Sequence, residues 1–231
     1  MLTVYLPTRV GFNHAAEPAR NRCSRGLVVF LLHGYGMRAD DLSPFAHALK
    51  VPGCFHAPQG ICELPEGRRA WWHRASPSLP ATGPRRHLGA IRPEGSAVAR
   101  RRLADWLADP GLVPAGSRVV LAGFSQGGML AADAALLESV AVDGLALFSS
   151  SPIALDEWRP NLARLAGKPV LVTHGARDEE LALSCGETLR DEFKAAGARV
   201  EWLQFDGGHQ IPLPVWRLFR RWLQDIESAD A

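Results

Sequence analysis

The 231-residue sequence lacks the features that would mark a membrane protein or a nucleic-acid-binding protein. It has no window of about 18 uninterrupted apolar residues, so we predict no membrane-spanning helix and no stable membrane insertion. The 26 Lys and Arg residues nearly balance the 24 Asp and Glu residues, and the net charge of +2 gives no reason to expect nucleic acid as a partner. Residues 1–7 lack a basic segment followed by an apolar one, which predicts no signal peptide and a cytoplasmic location.

Cysteine is scarce as well, and the four in the chain are Cys23, Cys54, Cys62 and Cys185. They include no Cys-x-x-Cys pair and have no histidines clustered at metal-ligand spacing, so we predict no metal site. Cys54 and Cys62 are close enough in sequence to meet across a loop. Reduced thiols in a cytoplasmic protein are nevertheless the preferred interpretation.

Apolar runs alternate with amphipathic segments along the chain, and 47% of the residues are hydrophobic, as in folded globular proteins. Strands are predicted at residues 3–6, 27–32, 53–57, 118–124, 142–148, 168–173 and 199–205, with helices after residue 125 and at 94–108, 184–196 and 212–226. This alternation predicts an α/β fold with a mainly parallel, doubly wound sheet. We expect a single domain over residues 1–231, with an irregular N-terminal segment at 1–25 and a long, proline-rich loop at 61–93 near the active site.

Two helices are predicted with a specific apolar face. Asp40 and Asp41 offer an N-cap to a helix, and the helix at 94–108 follows the long loop. The side chains expected to face the core are Leu42, Phe45, Ala46 and Leu49 in the first helix, and Val98, Leu103, Trp106 and Leu107 in the second.

The most informative stretch is Gly123-Phe124-Ser125-Gln126-Gly127, which joins an apolar run to an alanine-rich helical segment. A Gly-x-Ser-x-Gly sequence between a strand and a helix is the pattern of a nucleophile elbow, in which a tight turn exposes the serine Oγ. Strand and helix pass closely there, so Gly123 and Gly127 must be small. Taken alone, the pattern also fits a glycine-rich turn of any doubly wound protein. A histidine and a carboxylate are therefore required at later strand ends.

Two later strands end in such residues. Asp178 follows the strand at 168–173, and His209 follows the strand at 199–205. In a parallel sheet these ends lie on one edge, and the chain order Ser, Asp, His is the order of α/β-hydrolase triads. We predict Ser125 as nucleophile, His209 as general base and Asp178 as the group that orients the imidazole. The neighbouring residues Glu179 and Glu180 are weaker alternatives for the acid.

Backbone N–H groups near the elbow are predicted to form an oxyanion hole. One belongs to Gln126, the residue after the nucleophile, and we assign the other to Tyr35 in the turn after the strand at 27–32. His33 and His174 precede glycines at strand ends, and we expect them to brace loops rather than to act as the base.

Six short motifs follow one another along the chain. They are His33-Gly34-Tyr35-Gly36, Ala57-Pro58-Gln59-Gly60, Arg69-Ala70-Trp71-Trp72, Gly123-Phe124-Ser125-Gln126-Gly127-Gly128, His174-Gly175-Ala176-Arg177-Asp178 and Gly207-Gly208-His209. In this order they resemble the phospholipase/carboxylesterase family, which includes acyl-protein thioesterases and small bacterial carboxylesterases. The resemblance implies an α/β-hydrolase without a large lid. It also implies a serine hydrolase of carboxylic esters or thioesters that uses no metal and no cofactor, with Ser125, Asp178 and His209 as its triad.

Two stretches depart from the pattern of this family. Glu180-Leu181-Ala182 stands where relatives often carry Val-Pro, and His73-Arg74 follows the tryptophan pair where an acidic residue is frequent. Both differences concern the wall of the pocket and leave the triad intact.

Substrate contacts are expected from Trp71, Trp72, Leu181 and Ile211, which lie on loops near the predicted site. Trp71 either lines an acyl groove or plugs its loop onto the core. Arg85-Arg86-His87 either meets an anionic headgroup or is an ordinary exposed basic loop. We expect a short- to medium-chain acyl ester or thioester as the substrate. A homodimer, an inactive binding module with this fold and an acyltransferase using the same triad remain open alternatives.

Overall fold

The computed structural model describes residues 23–74 and 88–228. Its centre is a parallel sheet with the strand order β2-β1-β5-β6-β7-β8. These strands are β1 (Leu27–Leu32), β2 (Cys54–His56), β5 (Arg118–Phe124), β6 (Gly144–Phe148), β7 (Pro169–Gly175) and β8 (Arg199–Phe205). The strands β3 (Cys62–Glu63) and β4 (Arg69–Ala70) pair in a separate antiparallel hairpin.

Helices cover both faces of the sheet. They are α1 (Ser43–Leu49), α2 (Ser96–Ala108), α3 (Gln126–Leu137), α4 (Leu155–Trp158), α5 (Leu183–Ala195) and α6 (Leu213–Ser228). Even-numbered residues of β1 pack in one apolar cluster with α2, α3 and α5, and odd-numbered residues pack in another with α1 and α6. Because β1 is buried on both faces, all of its residues are apolar, whereas a strand with one solvent-exposed face would alternate apolar and polar residues. The prediction of a doubly wound α/β sheet is confirmed.

Most predicted elements agree with the structure to within about two residues, as expected for boundaries read from sequence. The strand predicted at 3–6 lies outside the described residues. In the long loop, residues 61–74 and 88–93 contain the small hairpin and no α-helix, as its prolines predicted. Among the helices of the described ranges, none combines the length and the apolarity that a membrane crossing requires.

The cap predicted for α1 is wrong. Asp40 and Asp41 lie in a short 3-10 turn, Ala39–Asp41, and Leu42 is the residue that precedes α1. The Asp41 carboxylate accepts the backbone N–H of Arg38 at 2.8 Å, so it closes the turn before the helix instead of capping the helix itself.

Two apolar side chains predicted to face the core are exposed. Phe45 of α1 is 44% exposed and Val98 of α2 is 54% exposed. Phe45 stacks face to face on Trp216 of α6, with ring centroids 4.8 Å apart, so it covers the edge of the core rather than entering it. Helical spacing therefore identified the buried stripe on each helix but included one residue that is exposed.

The expectation of reduced thiols is wrong for Cys23 and Cys54, which form a disulfide, and is confirmed for Cys62 and Cys185. Cys54 lies on β2, and Cys23 precedes the neighbouring strand β1, which brings their Cα atoms to 5.9 Å. Cys62, the partner considered from the sequence, and Cys185 carry free thiols. The two cysteines are 31 residues apart in sequence, so their pairing could not be inferred without the strand order.

A buried carboxylate fastens α3 to the elements around it. Asp133 of α3 is inaccessible to solvent and accepts the Arg92 guanidinium at 2.7 and 2.9 Å, the Arg100 guanidinium at 3.1 Å and the Trp158 indole N–H at 2.7 Å. Arg92 also pairs with both carboxylate oxygens of Glu157. This network joins α2, α3 and α4 to the segment that follows the undescribed part of the long loop.

Candidate active site

The turn between β5 and α3 has the strained geometry that its sequence predicts. Ser125 lies at φ 53° and ψ −117°, a conformation that residues with a Cβ rarely adopt. A Cβ on Gly123 would lie 2.3 Å from the carbonyl carbon of Gly127, and one on Gly127 would lie 2.2 Å from the Leu32 carbonyl oxygen. Any side chain at these two positions would collide with backbone, so the prediction that both must be small is confirmed.

The structure brings the three predicted catalytic side chains together in one hydrogen-bonded chain. Nε2 of His209 lies 2.9 Å from Oγ of Ser125, and Nδ1 of His209 lies 2.7 Å from Oδ2 of Asp178. This arrangement fits the neutral imidazole that donates from Nδ1 to Asp178 and accepts the hydroxyl proton at Nε2. An imidazole held in that tautomer is able to take the proton of Ser125.

Asp178 is buried but fully engaged by donors. Its Oδ1 accepts the backbone N–H groups of Glu180 and Leu181, each at 2.9 Å. Burial alone would raise the pKa of Asp178, but the hydrogen bonds from His209 and Leu181 and the nearby imidazoles lower the pKa on balance. The carboxylate is therefore ionised at neutral pH and free to stabilise a positive charge on His209.

The two neighbouring histidines brace loops, as predicted from their positions before glycines. Nε2 of His174 donates to the Leu181 carbonyl at 3.2 Å and so holds the loop that carries Asp178. His33 donates from Nδ1 to the Gly34 carbonyl at 2.8 Å and accepts the Gly60 N–H at Nε2 at 2.9 Å. Burial lowers the pKa of both histidines, which keeps them neutral.

The loop that carries His209 is packed directly on the strand that leads to Asp178. A Cβ on Gly175, the last residue of β7, would lie 2.3 Å from the Gly208 carbonyl oxygen and 2.6 Å from that of Gly207. The His209 ring also packs against Phe124 of β5, with ring centroids 4.8 Å apart. Backbone contact thus fixes the distance between the His209 imidazole and the Asp178 carboxylate.

The backbone N–H groups of Tyr35 and Gln126 were predicted from the sequence to bind an oxyanion. Within residues 23–74 and 88–228, neither N–H donates a hydrogen bond to another group. Tyr35, Gln126 and Ser125 all line one cavity. Gln126 is also the first residue of α3, so the positive end of the helix dipole lies at this position.

Trp71 and the Gln126 side chain brace the two turns that carry these N–H groups, and this role of the Gln126 side chain was not inferred from the sequence. The Trp71 indole N–H donates to the His33 carbonyl at 2.8 Å, and its ring stacks on the His33 imidazole at 5.1 Å. The Gln126 side chain accepts the Trp71 backbone N–H at 3.0 Å and donates to the Trp72 carbonyl at 2.8 Å. The loop after β4 is thereby tied to both turns that present the N–H donors.

A cavity of about 60 Å³ opens beside Ser125. Of the four expected substrate contacts, Trp72 and Leu181 line it. Trp71 and Ile211 do not line it. Trp71 is 1% exposed and packs its loop against the core, and Ile211 packs against the cluster of α1 and α6. The apolar wall is completed by Leu88 and Met129. Arg85-Arg86-His87 lies outside the described residues.

Two charged side chains at the mouth of this cavity were not predicted as site residues. Arg74 and Glu180 both line it and form an ion pair at 3.5 Å. They belong to the two stretches that depart from the family pattern, and that departure was the available signal. They come from loops more than 100 residues apart, so their meeting could not be inferred from sequence spacing.

One group of potential metal ligands occurs in the described part of the chain, namely Cys23, Cys54 and His56. Their ligand atoms lie within 4.8 Å of one another, although the sequence suggested no such cluster. The two sulfurs are joined in the disulfide and are therefore not available as thiolates.

Comparisons with known proteins agree with the α/β fold described above. A model of the Phospholipase/Carboxylesterase family matches residues 17–214. Similar solved structures include a carboxylesterase from Mesorhizobium loti (24% identity over 85% of this chain and 88% of that chain, TM-score 0.69), esterase PE8 (27%, 88% and 94%, 0.71) and acyl-protein thioesterase 2 from Zea mays (18%, 92% and 98%, 0.69). Since the family model covers most of the sequence, this chain belongs to the phospholipase/carboxylesterase family of α/β-hydrolases.

Proposed function

We propose that this protein is a serine hydrolase that cleaves carboxylic esters or thioesters through Ser125, His209 and Asp178. The observation that carries the proposal is the imidazole of His209, which bridges Oγ of Ser125 at 2.9 Å and Oδ2 of Asp178 at 2.7 Å. Membership of the phospholipase/carboxylesterase family supports hydrolysis of esters or thioesters as the reaction.

The reaction proceeds in two acyl-transfer steps. Oγ of Ser125 attacks the carbonyl carbon while Nε2 of His209 takes the hydroxyl proton. The imidazolium then gives this proton to the departing alcohol or thiol, which leaves the acyl group on Ser125. Water attacks the acyl-enzyme with His209 again as base, and the acid and the free serine are released. Asp178 stabilises the imidazolium in both steps without taking its proton.

The tetrahedral intermediates are stabilised by the backbone N–H groups of Tyr35 and Gln126. Their freedom from other hydrogen bonds in the described part of the chain supports this assignment. Loss of one such donor in other hydrolases reduces the rate by about 10²–10³-fold, so both donors matter to turnover.

A short- to medium-chain acyl group, as expected from the sequence, would place only its first few carbons in the cavity beside Ser125. A volume of about 60 Å³ is well below the roughly 150 Å³ of a cavity that holds benzene. Its apolar wall of Trp72, Leu88, Met129 and Leu181 suits an alkyl chain near the reacting carbonyl.

The test measures turnover of p-nitrophenyl butyrate and of a butyryl thioester by wild type, Ser125→Ala and the control Ser184→Ala. We expect Ser125→Ala to lose more than about 10³-fold in kcat/KM and the control to keep wild-type values. A fluorophosphonate probe should label the wild type and the control but not Ser125→Ala. Full activity of Ser125→Ala would refute the mechanism, and an unreactive wild type would favour an inactive binding module.

The identity of the acid is tested separately. Asp178→Asn should reduce kcat/KM by about 10⁴-fold, because the imidazole then loses its tautomer and its counter-charge. Glu180→Gln should retain most of its activity toward the neutral ester. The reverse result would assign the acid to Glu180. Product analysis with an added alcohol distinguishes hydrolysis from acyl transfer.

A further inference from the structure

Arg74 is placed where it can contact a substrate bound at Ser125. It follows the tryptophan pair on the loop after β4 and lines the same cavity as Ser125. Its guanidinium carbon lies 4.4 Å from the centroid of the Tyr35 ring. A guanidinium over an aromatic face is attracted by the ring, which helps to hold Arg74 beside the cavity while its N–H groups remain able to donate hydrogen bonds.

The charge of Arg74 is only loosely neutralised. Its ionic partner in the described part of the chain is Glu180, which approaches through a single contact at 3.5 Å. Both side chains are about half exposed, at 41% and 49%. Exposed pairs of this geometry are weak, and the Arg74 guanidinium makes no hydrogen bond within residues 23–74 and 88–228. An incoming anion therefore meets donors that are not already in use.

No other cation among the described residues lines this cavity. Glu180 is the acidic side chain of the lining, and it is exposed enough to turn into solvent when an anion replaces it. The carboxylate of Asp178 is buried beneath and is occupied by His209 and by the N–H of Leu181. A fork of N–H donors above an apolar wall matches an ester whose chain carries a carboxylate or a phosphate.

We propose that Arg74 binds an anionic group of the substrate, so that the enzyme prefers esters bearing a carboxylate or a phosphate over neutral esters of the same size. This inference rests on the proposed hydrolase function. It adds a substrate class and a residue that determines specificity, and it assigns the carboxylate of Glu180 the role of a competitor for Arg74.

The experiment compares kcat/KM for two matched substrate pairs. Mono-p-nitrophenyl glutarate against p-nitrophenyl pentanoate places the anion on the acyl side. Butyrylglycerol phosphate against its neutral dimethyl phosphate ester places it on the alcohol side. We expect a preference of about tenfold for the anionic member of at least one pair, which is the size of one charge-assisted hydrogen bond. The pair that shows the preference identifies which side of the ester faces Arg74.

Three variants assign the preference to Arg74. Arg74→Ala should reduce the anionic-to-neutral ratio about tenfold, and Arg74→Lys should retain part of it because a lysine keeps the charge without the fork. Glu180→Gln should raise the ratio, since it removes the competing carboxylate. Arg68→Ala is the matched control: Arg68 is an exposed arginine near the same hairpin whose side chain pairs with Glu66, and its loss should leave the ratio unchanged.

An equal ratio in the wild type and Arg74→Ala would overturn the inference while the neutral esters still report hydrolysis. A preference for cationic esters that Glu180→Gln abolishes would also overturn it. If Arg74→Ala fails to fold, the wild-type ratio measured at rising salt decides instead, because screening should erase a charge-based preference. Turnover of neither member of either pair would refute the proposed function, and this inference with it.

Discussion

The Gln126 side chain provides the sharpest test of how the site is held together. It is 4% exposed and forms two hydrogen bonds to the backbone of Trp71 and Trp72. The variant Gln126→Met keeps the length of the side chain and removes both bonds. It also keeps the backbone N–H that we assign to the oxyanion hole, so it separates bracing from direct participation.

The expected loss of stability follows from the two backbone groups left without partners. A buried polar group without a hydrogen bond costs about 1–3 kcal/mol, so two of them give about 2–6 kcal/mol. We expect the lower half of this range, about 3 kcal/mol, because the adjoining residues His73 and Arg74 are exposed and admit water. Since Trp72 lines the cavity, its displacement should also lower kcat/KM for p-nitrophenyl butyrate by about tenfold.

Urea unfolding and steady-state kinetics measure both quantities on the same preparations. The matched control is Gln204→Met on an exposed position of β8, which should change the free energy of unfolding by less than about 0.5 kcal/mol. If Gln126→Met were as stable and as active as this control, the Gln126 side chain would not brace the site and the reasoning would be refuted.

Three further predictions concern stability. Asp133→Asn should lower the free energy of unfolding by about 3 kcal/mol, since it removes the buried charge that the surrounding arginines share. Replacing both Cys23 and Cys54 by serine should lower it by about 3–4 kcal/mol, the loop-closure value for a separation of 31 residues. Burial lowers the pKa of His33 and His56, so below about pH 6.5 the unfolded chain binds protons that the folded chain does not. The free energy of unfolding, measured in urea, should therefore fall as the pH falls. The fall should be less steep in His56→Gln, which removes one of the two histidines.

Each of these predictions has a matched control on the same chain. Asp191→Asn removes a surface carboxylate paired with Arg190, and we expect it to leave stability nearly unchanged because the pair is exposed to solvent. Cys62→Ser replaces a free thiol, and His47→Gln replaces an exposed histidine. A variant that behaves like its control would contradict the corresponding prediction.

The features that were predicted from sequence are those fixed by local chemistry. The continuous apolar run of β1 reflects burial on both faces, and the glycines around Ser125 reflect backbone contacts of neighbouring elements. The order of Ser125, Asp178 and His209 along the chain was sufficient to propose a site because parallel strands end on one edge of a sheet. Their hydrogen-bonded arrangement in the structure follows from that topology.

The features that were missed depend on which distant segments meet. Phe45 has the spacing of a core residue, but its place beside Trp216 is set by the packing of α1 against α6. The pairing of Cys23 with Cys54 depends on β2 lying beside β1. The ion pair between Arg74 and Glu180 joins two loops, and the course of a loop cannot be inferred from its length. In each case the sequence shows the residue, but tertiary packing determines which distant residue it contacts.

The positive φ of Ser125 imposes an evolutionary constraint on this position. Glycine adopts such a conformation without steric conflict, whereas a residue with a Cβ held there loses about 1–3 kcal/mol. A lineage in which hydrolysis is no longer under selection would therefore gain stability by replacing this serine with glycine. Retention of serine at this turn in homologous sequences would be a record of continued selection for catalysis, independent of any measurement of activity.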